Sequence, residues 1–268
     1  MKLEYVPMLA IQRDLYRIPR GSGRFREYLA TMLDTETGDL RLPLTVMNPM
    51  AEDHVARYID LLQAMAAEEA GERAVEDARA KLAGEPGGGP YRVGIVVADD
   101  AGGGWTNRAA TELMHLKSEL ALEKRGWITA ILWASETYGP PEIREEVLIS
   151  IYRTLYVGRC GAPRTLREIL LQEGSAMRLA GARNPALEPA ALLRTREVLS
   201  RRLDCEDQPT LVAALFGDRA ARELGYAPLG LPPRAGLALA LHGRLEPRAR
   251  RPSRDPSPSP TPTSRPAS

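Results

Sequence analysis

Asp99 and Asp100 end an apolar run and are followed within a few positions by Gly102, Gly103, Gly104, Trp105, Thr106, Asn107 and Arg108. Carboxylates can move a proton, hold a hard cation or accept hydrogen bonds from a sugar. Glycines let the main chain come close to an anion, and a helix opening near Thr106 would aim unpaired amides and its positive end at the same place. Together these residue types describe a cradle for phosphate or carboxylate, with Arg108 adding a guanidinium and Trp105 a ring to stack on or shield the guest. The competing description is structural: a loose glycine loop, with Thr106 or Asn107 capping the helix that follows.

A cradle needs elements to hold it. Residues 91–98 are apolar without alternation, as in a strand covered on both faces, and "WITAILWAS" from Trp127 is a second run of the same kind. Between them, across residues 107–124, Ala109, Leu113, Leu116 and Leu120 fall at helical spacing. Strand, helix, strand is the βαβ unit. "RLPLTVMN", residues 41–48, reads as a further strand in front, which predicts an α/β fold built on a small parallel sheet of about three strands.

Ligands of open parallel sheets gather outside the carboxyl ends of the strands. That rule collects Asn48, Glu52, Asp53 and His54 from the first strand, Asp99, Asp100 and the glycines from the second, and residues 136–138 from the third. His54, in a first helical turn behind two acids, is either a general base tuned by carboxylates or a surface residue. Successive strand residues point to opposite faces, so one of the two aspartates enters the cradle, and Asp100 lies nearer the glycines. The catalytic candidates are therefore Asp100, His54 and Glu136, and the ligand-binding candidates Asn48, Gly102, Gly103, Gly104, Trp105, Thr106, Asn107 and Arg108. The acids suit a magnesium ion bridging to phosphate as well as they suit ribose hydroxyls, so no cofactor and no metal site is assigned. His115 and Glu119, one turn apart, have no third ligand beside them and read as a helix surface.

Two short resemblances bear on the loop. "GGGWTN" is similar to the dinucleotide-binding fingerprint GxGxxG, with Asn107 at the last glycine. "DAGGGWT" resembles the (D/E)xGxGxG loop of methyltransferases that use S-adenosylmethionine, with Asp100 as the acid and Thr106 in place of the final glycine. Each covers under ten residues. Either resemblance implies that an acid ending the next strand holds the ribose, a role that falls to Glu136. Glu136 stands 32 positions after Gly104, where the dinucleotide pattern has about 20.

The chain organises around this core. Residues 1–40 read as a helical segment packing on residues 41–139, the α/β core. Residues 49–84 read as one long helix with Pro49 in its first turn and Gly71 dividing it. Residues 140–243 read as helices, each opened by an early Pro or closed by a Gly, and "RAGLALALHG" fits either an edge strand or a short helix. Residues 244–268, rich in Pro, Ser and Arg, form a tail expected to be disordered.

Composition limits the functional classes. A formal net charge of +1 gives no strong nucleic-acid signal, and no stretch has the roughly 18 apolar residues of a membrane span. The first residues lack the apolar centre of a secretory signal, so a cytoplasmic location is expected. Cys160 and Cys205 stand alone, without metal-binding spacing. Two readings remain. One is binding of an anionic, nucleotide-like small molecule at the carboxyl rim of the sheet, by a transferase or hydrolase if chemistry follows. The other is a non-enzymatic module that engages a protein partner through its helical half or tail.

Overall fold

The computed structural model describes residues 2–34, 36–84, 90–101, 106–117 and 125–243. Gly102, Gly103, Gly104 and Trp105, residues 118–124, over which the helix was expected to continue, and the tail from Arg244 lie outside the described residues. Three parallel strands form one sheet in the order β1-β2-β3: β1 (Lys2–Tyr5), β2 (Pro90–Ala98) and β3 (Trp127–Trp133). Before β2 come α1 (Met8–Arg17), α2 (Ser22–Met32), α3 (Asp53–Ala64) and α4 (Ala67–Lys81), and α5 (Arg108–Leu116) lies between β2 and β3. The rest is helical: α6 (Pro140–Cys160), α7 (Leu166–Ala180), α8 (Pro189–Ser200), α9 (Gln208–Phe216), α10 (Asp218–Glu223) and α11 (Ala235–His242). The small parallel sheet with a large helical part is the architecture expected from the hydrophobic pattern. Among the described residues no helix is long and apolar enough to cross a membrane.

The central strand is covered on both faces, which explains its unbroken apolar run. Gly94 faces Met8 of α1, where a Cβ would come within 2.5 Å of the Met8 side chain. On the opposite face Ile95 meets Gly71 of α4, and a Cβ on Gly71 would lie 2.8 Å from Ile95 and 2.7 Å from the Tyr5 ring. Gly71 therefore marks a close helix-to-sheet approach, not the division of a helix. The actual break is at Met65 and Ala66, the latter in the left-handed region at φ 58°.

The expected strand over 41–48 is not formed, and the first strand is instead Lys2–Tyr5, within a segment expected to be helical. The physical reason lies in the hydrogen bonds of residues 41–51. Trp127 Nε1 donates to Arg41 O (3.1 Å), Tyr28 Oη to Leu44 O (3.1 Å), Tyr16 Oη to Asn48 O (2.7 Å) and Arg24 to Ala51 O (3.1 Å). Side chains thus satisfy the carbonyls that a ladder would otherwise take. Leu44 and Met47 are fully buried, so their apolar character records burial without strand pairing. The long helix also begins later than Pro49, at Asp53.

β1 pairs with β2 only as far as Val93, which leaves the β1 side of β2 short of a partner at Val97. Gln12 supplies one: its Nε2 donates to Val97 O (3.0 Å) and its Oε1 accepts from Val97 N (2.8 Å). One buried side-chain amide stands in for a strand residue. Gln12→Leu strands both Val97 groups, and equilibrium urea denaturation is expected to show a loss of about 2 kcal/mol, within the range for unpaired buried polar groups.

The ambiguous "RAGLALALHG" is helix α11. Gly236 lets it approach α9, where a Cβ would lie 2.4 Å from Ala214 O. Apolar side chains from β1 through α11 belong to a single buried cluster.

Candidate functional site

The carboxyl ends of β2 and β3 carry two neighbouring polar assemblies. The first centres on Asp99, the residue after β2, which is 2% exposed. Asn48 Nδ2 donates to Asp99 Oδ2 (2.9 Å), and Asp99 Oδ1 lies 2.9 Å from His54 Nε2 and accepts from Ala101 N (3.3 Å). Asn48 is itself fixed. Its Oδ1 accepts from Met50 N (3.0 Å) and its carbonyl from Tyr16. His54 sits in the first turn of α3 with about a third of its side chain exposed. One turn on, Tyr58 Oη donates to Glu136 O (2.9 Å), and burial beside Glu136 and Asp100 pushes its phenol up to about 12.

Asp100 serves the loop after β3: it accepts from Ser135 N (2.9 Å) and Ser135 Oγ (2.6 Å). Asn107 Oδ1 accepts from Ala110 N (3.0 Å) as the cap of α5. Arg108 spreads over several partners. It reaches Glu112 (2.8 Å), Glu136 (2.6 Å) and Asp100 (3.6 Å), with its guanidinium over the Trp133 ring at 5.2 Å.

Arg108 and Glu136 also line the mouth of the second assembly, a cavity of about 710 Å³ between α5, α6, α7 and the residues leading into α11. Its walls hold ion pairs, one of them buried. Arg153 and Glu173 form a two-pronged pair at 2.7 and 2.9 Å, and Arg234 places one nitrogen 3.0 Å from each oxygen of Glu112. Burial works against a charge on Glu112, but Arg234 and Arg108 hold its carboxyl below the usual range. Arg234 adopts φ 55°, a left-handed conformation that costs a non-glycine side chain about 1–3 kcal/mol. His115 Nε2 donates to Thr129 O (3.1 Å), and burial, aided by Arg153, lowers it to about 4.

Glu146 of α6 lines the same cavity. Its carboxyl makes no hydrogen bond within the described residues, and the residue is half-buried. Burial pushes it up to about 7, against the pull of Arg234 and Arg153 and with Glu112 and Glu145 adding repulsion. The unfolded chain gives up this proton near 4.5, so stability should fall as pH rises from there to about 7, by up to about 1.4 kcal/mol per pH unit. Glu146→Gln is expected to remove that slope. Denaturant titrations of both proteins between pH 4.5 and 8 should show the variant gaining on the parent as pH rises.

The structure therefore brings Asn48 and His54 together on one carboxylate, and Arg108 with Glu136 on the adjacent edge. Of the two aspartates, Asp99 joins Asn48 and His54, whereas Asp100 braces Ser135. Thr106 precedes α5, half-buried, and Gly102, Gly103, Gly104 and Trp105 lie outside the described residues. Glu119, the suggested partner of His115, is outside them too. The cavity was not anticipated from sequence, yet it left a trace. Glu146, Ser150 and Arg153 recur at four- and three-residue steps along α6, and Glu173 interrupts the apolar face of α7. Among the described residues, no group of three His, Cys, Asp or Glu side chains is arranged to hold a metal ion. Comparisons with protein-family models, curated proteins and solved structures return no match to this chain.

Proposed function

We propose that the protein binds an anionic, nucleotide-like small molecule over the carboxyl rim of the sheet and transfers or hydrolyses a group on it, with His54 as general base. The observation that supports this reading is the chain Asn48, Asp99, His54 at the end of the central strand. As a carboxylate, Asp99 accepts from Asn48, Ala101 and His54, which puts the imidazole proton on Nε2. Nδ1 then keeps its lone pair and makes no hydrogen bond within the described residues. A buried carboxylate that fixes the tautomer, with the other nitrogen open to a water or hydroxyl, is the arrangement of a general base and its orienting group. The amino end of α5 and the glycines before it would hold the anion.

The test joins binding to turnover. A thermal-shift panel of nucleotides, S-adenosylmethionine and divalent ions identifies the guest, since a ligand at 100 times its Kd adds roughly 2.7 kcal/mol to stability. With that guest, His54→Gln and Asp99→Asn should lower kcat by about 10²–10⁴ while leaving affinity within a few fold. Equal turnover in His54→Gln rejects the base. A silent panel favours the protein-interaction reading.

A further inference from the structure

We propose that the cavity between α5, α6, α7 and the start of α11 is a second binding site, for a small organic cation: an amine or guanidine on an aliphatic stem, its charged end on Glu146. The pairing of charges in the walls selects this class. Arg108, Arg153 and Arg234 each face a glutamate of the cavity at 3.0 Å or less, and Arg144 turns to Asp77 at 2.7 Å. An incoming anion would have to displace a carboxylate from these four guanidiniums, and the fifth arginine of the lining, Arg183, is exposed and lies beside Glu145, whose charge it favours. On the acidic side Glu112, Glu136 and Glu173 are neutralised by the same arginines, and Glu142 accepts from Gly139 N (3.0 Å). Glu146 is left as a half-buried carboxyl with no hydrogen bond within the described residues, and the cavity lining holds six glutamates against five arginines. What Glu146 lacks is a hydrogen-bond donor.

Shape and surface agree with a stemmed cation. Ile131, Ile149, Met177 and Leu237 line the cavity beside the carboxylates and offer an apolar path for methylenes. Glu142 and Glu146 lie one helical turn apart on α6, about 6 Å along the axis, so a ligand with two basic ends can meet both. The volume of about 710 Å³ is within the usual 300–1,000 Å³ of small-molecule sites. Binding is coupled to protons. Acting on Glu146 are Arg153 and Glu145 of its own helix, Glu112 of α5, Arg234, and Tyr138 of the loop after β3, with His115 and Glu173 lining the same cavity. With His115 neutral and Glu112, Glu136 and Glu173 held by arginines, Glu146 is the group that must ionise to receive a cation.

Agmatine, which carries a guanidinium and an ammonium on a four-carbon stem, is the probe. Isothermal titration of the full chain at pH 8 should give saturable one-to-one binding, weakening about tenfold per pH unit below pH 7. Glu146→Gln should weaken it at least tenfold at pH 8 and remove the pH dependence. Leu237→Trp, which fills the cavity without touching the carboxyl, should abolish it, so that a poorly folded Glu146 variant does not decide the matter. His54→Gln should bind agmatine as the parent does, which separates this proposal from the rim chemistry. No binding of agmatine at pH 8, or equal affinity in Glu146→Gln and the parent, overturns the assignment. So does binding of inorganic phosphate that agmatine does not compete with and Leu237→Trp abolishes.

Discussion

Glu173→Ala should lower the folding free energy by about 3–5 kcal/mol, the cost typical of removing one member of a buried ion pair. Glu173 is 3% exposed at its side chain and Arg153 11%, and the two hydrogen bonds between them join α7 to α6. Gln172 Nε2 adds a third donor to Glu173 at 3.2 Å. Without Glu173, the Arg153 guanidinium keeps its charge in a place from which water is largely excluded. Arg153→Met with Glu173→Leu should recover most of the loss, because a pair of apolar side chains leaves no buried charge. Urea denaturation of the two single variants and the double variant measures the coupling directly. A single-variant cost below 1 kcal/mol would mean that water reaches the pair from the cavity and screens it.

Trp127→Ala is the second large effect, again about 3–5 kcal/mol, as for other large aromatic side chains removed from a core. Trp127 opens β3 and is 1% exposed. Three parts of the chain meet on it. Its Nε1 donates to Arg41 O, its ring carries the Arg92 guanidinium of β2 at 4.3 Å, and its backbone pairs in the sheet. Trp127→Phe keeps most of the burial and loses the N–H, so it should cost about 1 kcal/mol. If both substitutions cost the same by denaturation, the hydrogen bond to Arg41 outweighs the buried ring, contrary to the area argument.

What could be read from the residues, and what could not, follows from the range of the forces involved. β2 and β3 were legible because a strand covered on both faces writes an apolar run into the sequence, and α5 because its buried residues recur at helical spacing. β1 was hidden: four residues with one buried side chain carry no period, and their pairing with β2 is decided far along the chain. Residues 41–48 misled for the opposite reason. They are as apolar as a strand because they are buried, but tyrosine, arginine and tryptophan side chains from elsewhere satisfy their carbonyls. Asn48 and His54 were singled out through the rule about carboxyl ends of strands, and they meet on Asp99 even though the strand assigned to them does not exist. The choice of Asp100 over Asp99 rested on distance to the glycines along the chain. In the structure both side chains are largely buried, and they differ in partners: Asp99 meets Asn48 and His54, and Asp100 meets Ser135. The cavity had no local motif, because its charges come from three helices and the loops between elements and meet only in three dimensions.

The register of β1 carries a consequence for how the molecule is made. Lys2 lies opposite Pro90, so a ribosome adding about 5–20 residues per second finishes the partner roughly 4–18 s after the first strand. Through that interval the helices from Met8 to Lys81 can assemble from nearby contacts, whereas the leading strand waits for a loop of more than eighty residues to close. Its insertion is then a late event of biogenesis, and until it occurs one margin of the nascent sheet stands open to other extended chains.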